Sequence, residues 1–171
     1  MLTRSQSAIV AETLRVSLAA VAADVDEEQL ASLSRAVAAL DPPMAADPHP
    51  AWPPVGASVV RDLTVTAEDT AAAMGHPDPT VQVLGSPRLA LWFEIVACDL
   101  LPEPSADLTH VGAGVLVHHL DRADVGEVVS VECTCASVAG RHAVFTCRAT
   151  VGDHVAALGT HHRVLLLPRG R

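Results

Sequence analysis

At 171 residues the chain is long enough for one domain of ordinary size with an appendage, and short for two. A formal charge of −9 argues against nucleic acid or an acidic membrane surface as partner, and two Phe, two Trp and no Tyr leave base stacking poorly supplied. Half the residues are apolar, chiefly Ala, Val and Leu, so a sizeable core can form.

Residues 5 to 40 read as two helices. Ile9, Val10, Leu14, Leu18 and Val21 recur at helical spacing in the first. The second opens on a capping box, Asp26 with Gln29, and carries Leu30, Leu33, Val37 and Leu40 on one stripe. A proline-dense stretch from Asp41 to Pro54 can be neither regular helix nor central strand. The expected organisation is therefore a helical hairpin over 1–41, a stiff linker over 42–55 and a body over 56–168. The hairpin's stripes are ordinary packing stripes, and it is expected to cover a sheet face or to extend a dimer interface.

The body begins with an alternating strand, Ser58 to Thr66, and a short helix, Ala67 to Met74, ended by Gly75 and Pro77. An apolar helix follows over Ser86 to Leu101, with Ser86 as N-cap and Pro87 at the first helical position. Four strands come next: Thr109 to Leu120, Glu127 to Ala136, Ala143 to Val151 and His154 to Leu167. Gly140-Arg141 and Gly152-Asp153 make tight hairpin turns between the last three. One strand, one long helix and an antiparallel four-strand meander is an α+β order, that of the hotdog topology, in which a curved sheet wraps round a helix.

Cys98, Cys133, Cys135 and Cys147 lack zinc-site spacing and read as small buried thiols in a reducing cytosol, so no metal is expected. Arg4, Glu12 and Arg15 interrupt the N-terminal apolar stretch, which does not suit a signal peptide, and no uncharged run approaches the roughly 20 residues of a membrane span. A cytoplasmic location without membrane contact is expected.

Three features carry chemistry. Glu94 is the only carboxylate between Ser86 and Cys98, in a segment apolar on nearly all sides. Either it lies on a thin solvated stripe or answers an Arg, or it is a partly desolvated carboxylate fit to act as base or nucleophile. In Gly112-Ala-Gly-Val-Leu-Val-His-His-Leu120, alternation lets only one of His118 and His119 face the helix. Gly159-Thr-His-His-Arg163 is a polar knot in an apolar strand. It reads as an exposed edge blocking aggregation, or as recognition of an anionic or carbonyl group by Arg163 and Thr160.

Together these features resemble the hotdog acyl-CoA thioesterases of the fluoroacetyl-CoA thioesterase type. In that family a Thr opens the central helix, a Glu follows eight residues later, and a His precedes a Gly-ended turn in the next strand. Ser86 and Glu94 keep the interval, with Ser for Thr. Counting from Gly112 to Gly126 places the family's His on His119. The closing Gly-Thr-His-x-Arg is matched by Gly159, Thr160, His161 and Arg163. Aromatic residues precede the Thr in the fluoroacetyl-specific enzyme, but Gly75 to Gly85 contains none. The resemblance therefore implies hydrolysis of acyl-CoA thioesters in general.

It implies Glu94, Ser86 and His119 as catalytic residues and Arg163, Gly112 and Thr160 as substrate-binding residues. Glu94 attacks the carbonyl or deprotonates a water, Ser86 bonds Glu94 or the substrate, and His119 orients or shuttles the proton. Backbone N–H groups near Gly112 offer oxyanion stabilisation. No cofactor is implied, and the site lies at the interface of a homodimer at least. The alternatives are a hotdog enoyl-CoA hydratase or dehydratase, which needs an Asp and a His at the helix entrance, and a non-catalytic acyl-CoA binding module.

Overall fold

The computed structural model describes residues 47–105 and 108–166. The expected helical hairpin lies outside the described residues. The described body holds β1 (Ser58–Thr64), one turn of 3-10 helix (Ala67–Asp69), α1 (Ser86–Cys98), β2 (Thr109–His119), β3 (Val128–Ala139), β4 (His142–Val151) and β5 (His154–Leu166). The strands form one sheet in the order β1-β3-β4-β5-β2, with every neighbouring pair antiparallel, so β1 and β2 are its edges.

Period-two alternation explains how the sheet meets the helix. Val129, Val131, Cys133 and Cys135 of β3 are fully buried on one face, opposite Val151, Ala149, Cys147 and Phe145 of β4. Against that face α1 buries Leu89, Trp92, Phe93, Val96 and Ala97. Burying Phe93 alone contributes about 3 kcal/mol. The helix sits close because the sheet beneath it is built from small residues. A Cβ at Gly159 would stand 2.8 Å from the Phe93 ring and 2.2 Å from the Leu116 carbonyl oxygen. Cys133 and Cys147 face each other here as free thiols, 3.4 Å apart. Burial pushes the Cys147 thiol well above its ordinary pKa, so it behaves as core.

Gly140 and Gly152 take φ of +52° and +54°, the left-handed conformation that two-residue hairpin turns require. Both expected hairpins are therefore present. Strand β3 runs on to Ala139, past the expected Ala136, and β1 stops at Thr64, short of Thr66; three further expectations differ. The segment after β1 makes only a single 3-10 turn, because Ala71 and Ala72 donate their N–H groups to the Val83 and Val81 carbonyls instead of continuing a helix. Helix α1 ends at Cys98, not Leu101. Part of the linker is docked on the body: Trp52 is buried and donates its indole N–H to the Gly140 carbonyl at 3.2 Å.

Candidate active site

The entrance of α1 carries the first half of the site. Gly85 is the N-cap and makes no side-chain cap, and Ser86 is the first helical residue. The expected capping role of Ser86 is thus displaced by one position, and its hydroxyl is engaged elsewhere. Ser86 Oγ lies 3.0 Å from His119 Nδ1. His119 pairs with Ala157 on the helix-facing side of β2, whereas the exposed His118 stands on the other face. Burial lowers the His119 pKa, partly opposed by hydrogen bonding and charge from Asp121. The imidazole is therefore a neutral partner for the hydroxyl near pH 7.

A second fixture holds this end of the helix. The Asp69 carboxylate pairs with Arg88 Nε at 2.7 Å and accepts from Thr66 N–H at 2.8 Å and Thr66 Oγ1–H at 2.6 Å. Thr66-x-x-Asp69 is a legible capping signature that sequence reasoning passed over. Its carboxylate is committed to Thr66 and Arg88.

Glu94 lies eight residues along α1, about 12 Å of helix from Ser86 at 1.5 Å per residue. Its side chain is 42% exposed, and its Oε1 lies 3.3 Å from Arg163 Nη1. The carboxylate answers an Arg and also keeps a solvent-open side, so the contact with Arg163 leaves both sequence readings of Glu94 standing. Arg163 is only 4% exposed. Its Nη1 donates to His161 Nε2 and its Nη2 to His110 Nδ1, both at 2.9 Å. An interior Arg with three side-chain partners, Glu94, His161 and His110, holds Glu94.

Gly112 sits against the same cluster. A Cβ there would lie 2.8 Å from Glu94 Oε1 and 3.2 Å from His161 Cε1. Only glycine leaves room for the carboxylate to rest on the strand, beside the break in β2–β5 register at Gly112 and Gly114. Thr160 is not brought to this cluster. It stands between Thr146 and Leu116, buried on the face away from α1, because its neighbours Gly159 and His161 point at the helix. The reading of Gly159 to Arg163 as an exposed edge is overturned, since β5 lies between β4 and β2 and this stretch is buried.

His110 has no counterpart among the expected residues. It also lines a cavity of about 430 Å³ at the C-terminal end of α1, with Cys98, Asp99, Leu101, Pro102, Glu103 and Pro104. Asp99 is tied to Arg61 of β1 by an ion pair. Within one protomer the described contacts form two clusters on one helix: Ser86 with His119, and Glu94 with Arg163, His161, His110 and Gly112.

One helix laid on a five-stranded antiparallel sheet is the hotdog architecture, and the family matched by the chain makes it a hotdog-fold acyl-CoA thioesterase. The chain belongs to the fluoroacetyl-CoA-specific thioesterase family, whose model matches residues 65–168. Solved structures agree on the fold. A hot-dog-like protein from Thermanaerovibrio acidaminovorans superposes with a TM-score of 0.62 at 22% identity, covering 67% of this chain and 84% of that one. A phenylalanine-to-alanine mutant of the fluoroacetyl-CoA-specific thioesterase FlK, in complex with fluoroacetate and CoA, gives 0.61 at 21% identity over 67% and 95%. A thioesterase superfamily member from Thermus thermophilus gives 0.61 at 22% identity over 67% and 84%. A search of curated proteins gave no significant match.

Proposed function

We propose that this chain hydrolyses acyl-CoA thioesters to free acid and CoA, with Glu94 as base or nucleophile at a site completed by a second copy of the chain. The observation that carries this reading is the placement of Glu94. It is a half-exposed carboxylate, the only one on α1, held from below by an interior Arg and given room by a glycine. In the base route Glu94 takes a proton from water and the water oxygen attacks the thioester carbonyl. The carbon–sulfur bond then breaks, and CoA leaves as a thiolate that is reprotonated. In the nucleophile route the carboxylate attacks the carbonyl, the carbon–sulfur bond breaks to release CoA thiolate, which is reprotonated, and water hydrolyses the resulting mixed anhydride to free acid and Glu94. Ser86 and His119 supply a hydroxyl and an imidazole to orient substrate and relay the proton. Backbone N–H groups of the Gly112–Gly114 stretch are candidates for the oxyanion.

Three facts support a dimer. Among the described residues strand β2 is an edge of the sheet. Leu91 and Ile95, one turn apart on α1, are 40% and 38% exposed, and Val111 and Val115 on β2 are 38% and 45% exposed. Exposed apolar side chains on an edge strand and on the helix packed beside it are the kind of surface a two-fold pairing would bury, Val115 on the helix-facing side of β2 and Val111 on the other. The acyl group is not taken to be fluoroacetyl, because Gly75 to Gly85 offers no aromatic side chain. Free Cys98, Cys133, Cys135 and Cys147 fit a reducing cytoplasm, and among the described residues no helix is long and apolar enough to cross a membrane.

A panel of acyl-CoA esters from acetyl to palmitoyl, read by free-thiol release, tests the reading. Glu94→Gln should lower kcat by roughly 100-fold or more on whichever ester the wild type turns over best. Full turnover by that variant would remove Glu94 from the chemistry. Hydration of crotonyl-CoA, assayed alongside, should be absent, since the Asp69 carboxylate at the helix entrance is committed to Arg88 and Thr66.

A further inference from the structure

The Glu94 cluster contains two imidazoles that the hydrolytic scheme above leaves without a task. His161 is 1% exposed, follows the sheet's inward period and meets the Arg163 guanidinium through Nε2. His110, on the neighbouring edge strand, meets the same guanidinium through Nδ1. Guanidinium nitrogens only donate, so the two contacts require His161 Nε2 and His110 Nδ1 to be bare acceptors. Each imidazole is then neutral and carries its proton on the other nitrogen. The surroundings favour neutral rings, although the buried His161 Nδ1 has no hydrogen-bond partner among the described residues. Burial first and the Arg163 charge second lower both pKa values, His161 to about 4.

We infer that His161 and His110 are positioning residues, which fix the Arg163 guanidinium from its two terminal nitrogens and so hold Glu94 at its station over Gly112. This rests on the reading of Glu94 as the reacting carboxylate. An Arg side chain has several free torsions and, with Glu94 as sole partner, would hold the carboxylate in many poses. Acceptors on Nη1 and Nη2 remove that freedom without adding a second negative charge that would compete with Glu94. A carboxylate in either place would pair with Arg163 more strongly and draw it away. The cluster thus uses neutral acceptors where only geometry is needed. Its two halves come from different strands, β2 and β5, so the register of that pair sets where Glu94 rests.

The two contacts use different ring nitrogens, which gives the inference a sharp test. An Asn oxygen superposes on His Nδ1, and a Gln oxygen on Nε2. His161→Gln and His110→Asn therefore keep an acceptor facing Arg163, whereas His161→Asn and His110→Gln place it wrongly. The matched variants should keep kcat within about threefold of wild type, and the mismatched ones should lose roughly 10- to 100-fold in kcat with KM little changed. Urea midpoints measured on all four keep a folding defect from passing as a positioning effect. Equal turnover in matched and mismatched variants of equal stability would overturn the inference.

A second readout does not depend on turnover. In ¹⁵N spectra of the full chain, the Arg163 terminal N–H groups should be resolved and slow to exchange in the wild type and matched variants, and averaged in the mismatched ones. If no thioester is hydrolysed yet this pattern holds, the assignment of function fails while the clamp stands. If thioesters are hydrolysed and the pattern is absent, the clamp fails alone.

Discussion

Acidification from pH 7.5 to pH 5.0 should destabilise this protein sharply, and the structure sets the size of the effect. His161 and His162 are 1% and 4% exposed, on opposite faces of β5. Burial lowers both to about 4 from an ordinary 6.5, reinforced for His161 by the Arg163 charge and for His162 by His142, whose Nδ1 lies 3.2 Å from His162 Nε2. A folded pKa below the unfolded one means that the unfolded chain takes up the proton first. Stability is thus full above pH 6.5 and is lost as pH falls from 6.5 towards 4. At pH 5.0 each group has lost about 1.5 pH units of that span, or about 2 kcal/mol, and the two together about 4 kcal/mol. That is a large part of the 5–15 kcal/mol typical of a domain. Urea unfolding followed by the fluorescence of buried Trp52 and Trp92, at fixed protein concentration, measures it. His162→Gln should remove about half of the pH dependence whatever it does to stability at pH 7.5. An unfolding free energy that changes by less than about 1 kcal/mol between the two pH values would refute the argument.

Other expectations follow from single atoms. Gly159→Ala puts a methyl 2.2 Å from the Leu116 carbonyl oxygen and should destabilise by about 3 kcal/mol or more, seen as a lowered urea midpoint. Gly112→Ala meets only the flexible end of Glu94 and the His161 ring edge. Its unfolding free energy should change by less than about 1 kcal/mol, while thiol release falls roughly tenfold or more because the carboxylate is displaced. A Gly112→Ala enzyme with normal turnover would show that Glu94 need not rest on the strand.

The architecture was legible where a local rule and the tertiary fold agree. The meander could be read from period-two alternation and from Gly140 and Gly152, whose positive φ the hairpins require. The segment after β1 departs from the helix expected of it because the high helix propensity of Ala and Met is only a weak prior against tertiary context. Hydrogen bonds from Ala71 and Ala72 across to Val83 and Val81 outweigh it. Within the site, Glu94 and Arg163 could be found as charges in apolar runs, and His119 by its register. Thr160 was separable too: a strand that turns Arg163 towards the helix turns His161 and Gly159 with it, and sends Thr160 to the other side. His110 was out of reach. Its contact depends on the β2–β5 pairing, which sets Gly112 opposite Arg163 and brings a residue 53 positions away in sequence beside the guanidinium.

The separation of the two clusters along α1 bears on how many chains make one site. Ser86 and Glu94 are about 12 Å apart on a rigid helix, a gap that side-chain rotation does not close. A thioester carbonyl can be served by both clusters only if it spans them within one chain, or if a two-fold pairing at β2 brings one protomer's helix entrance to the partner's Glu94. The two cases part cleanly in a mixed dimer. When Glu94→Gln and His119→Gln chains are unfolded together, mixed in equal amounts and refolded, half the dimers carry one of each. Under the shared arrangement each of those mixed dimers has one intact site of two, and activity should return to about a quarter of wild type. If each site is built within one chain, no chain retains both residues, and the mixture should be no more active than either variant alone. The first result is expected from the proposed pairing, which would cover the β2 edge and the exposed Leu91 and Ile95.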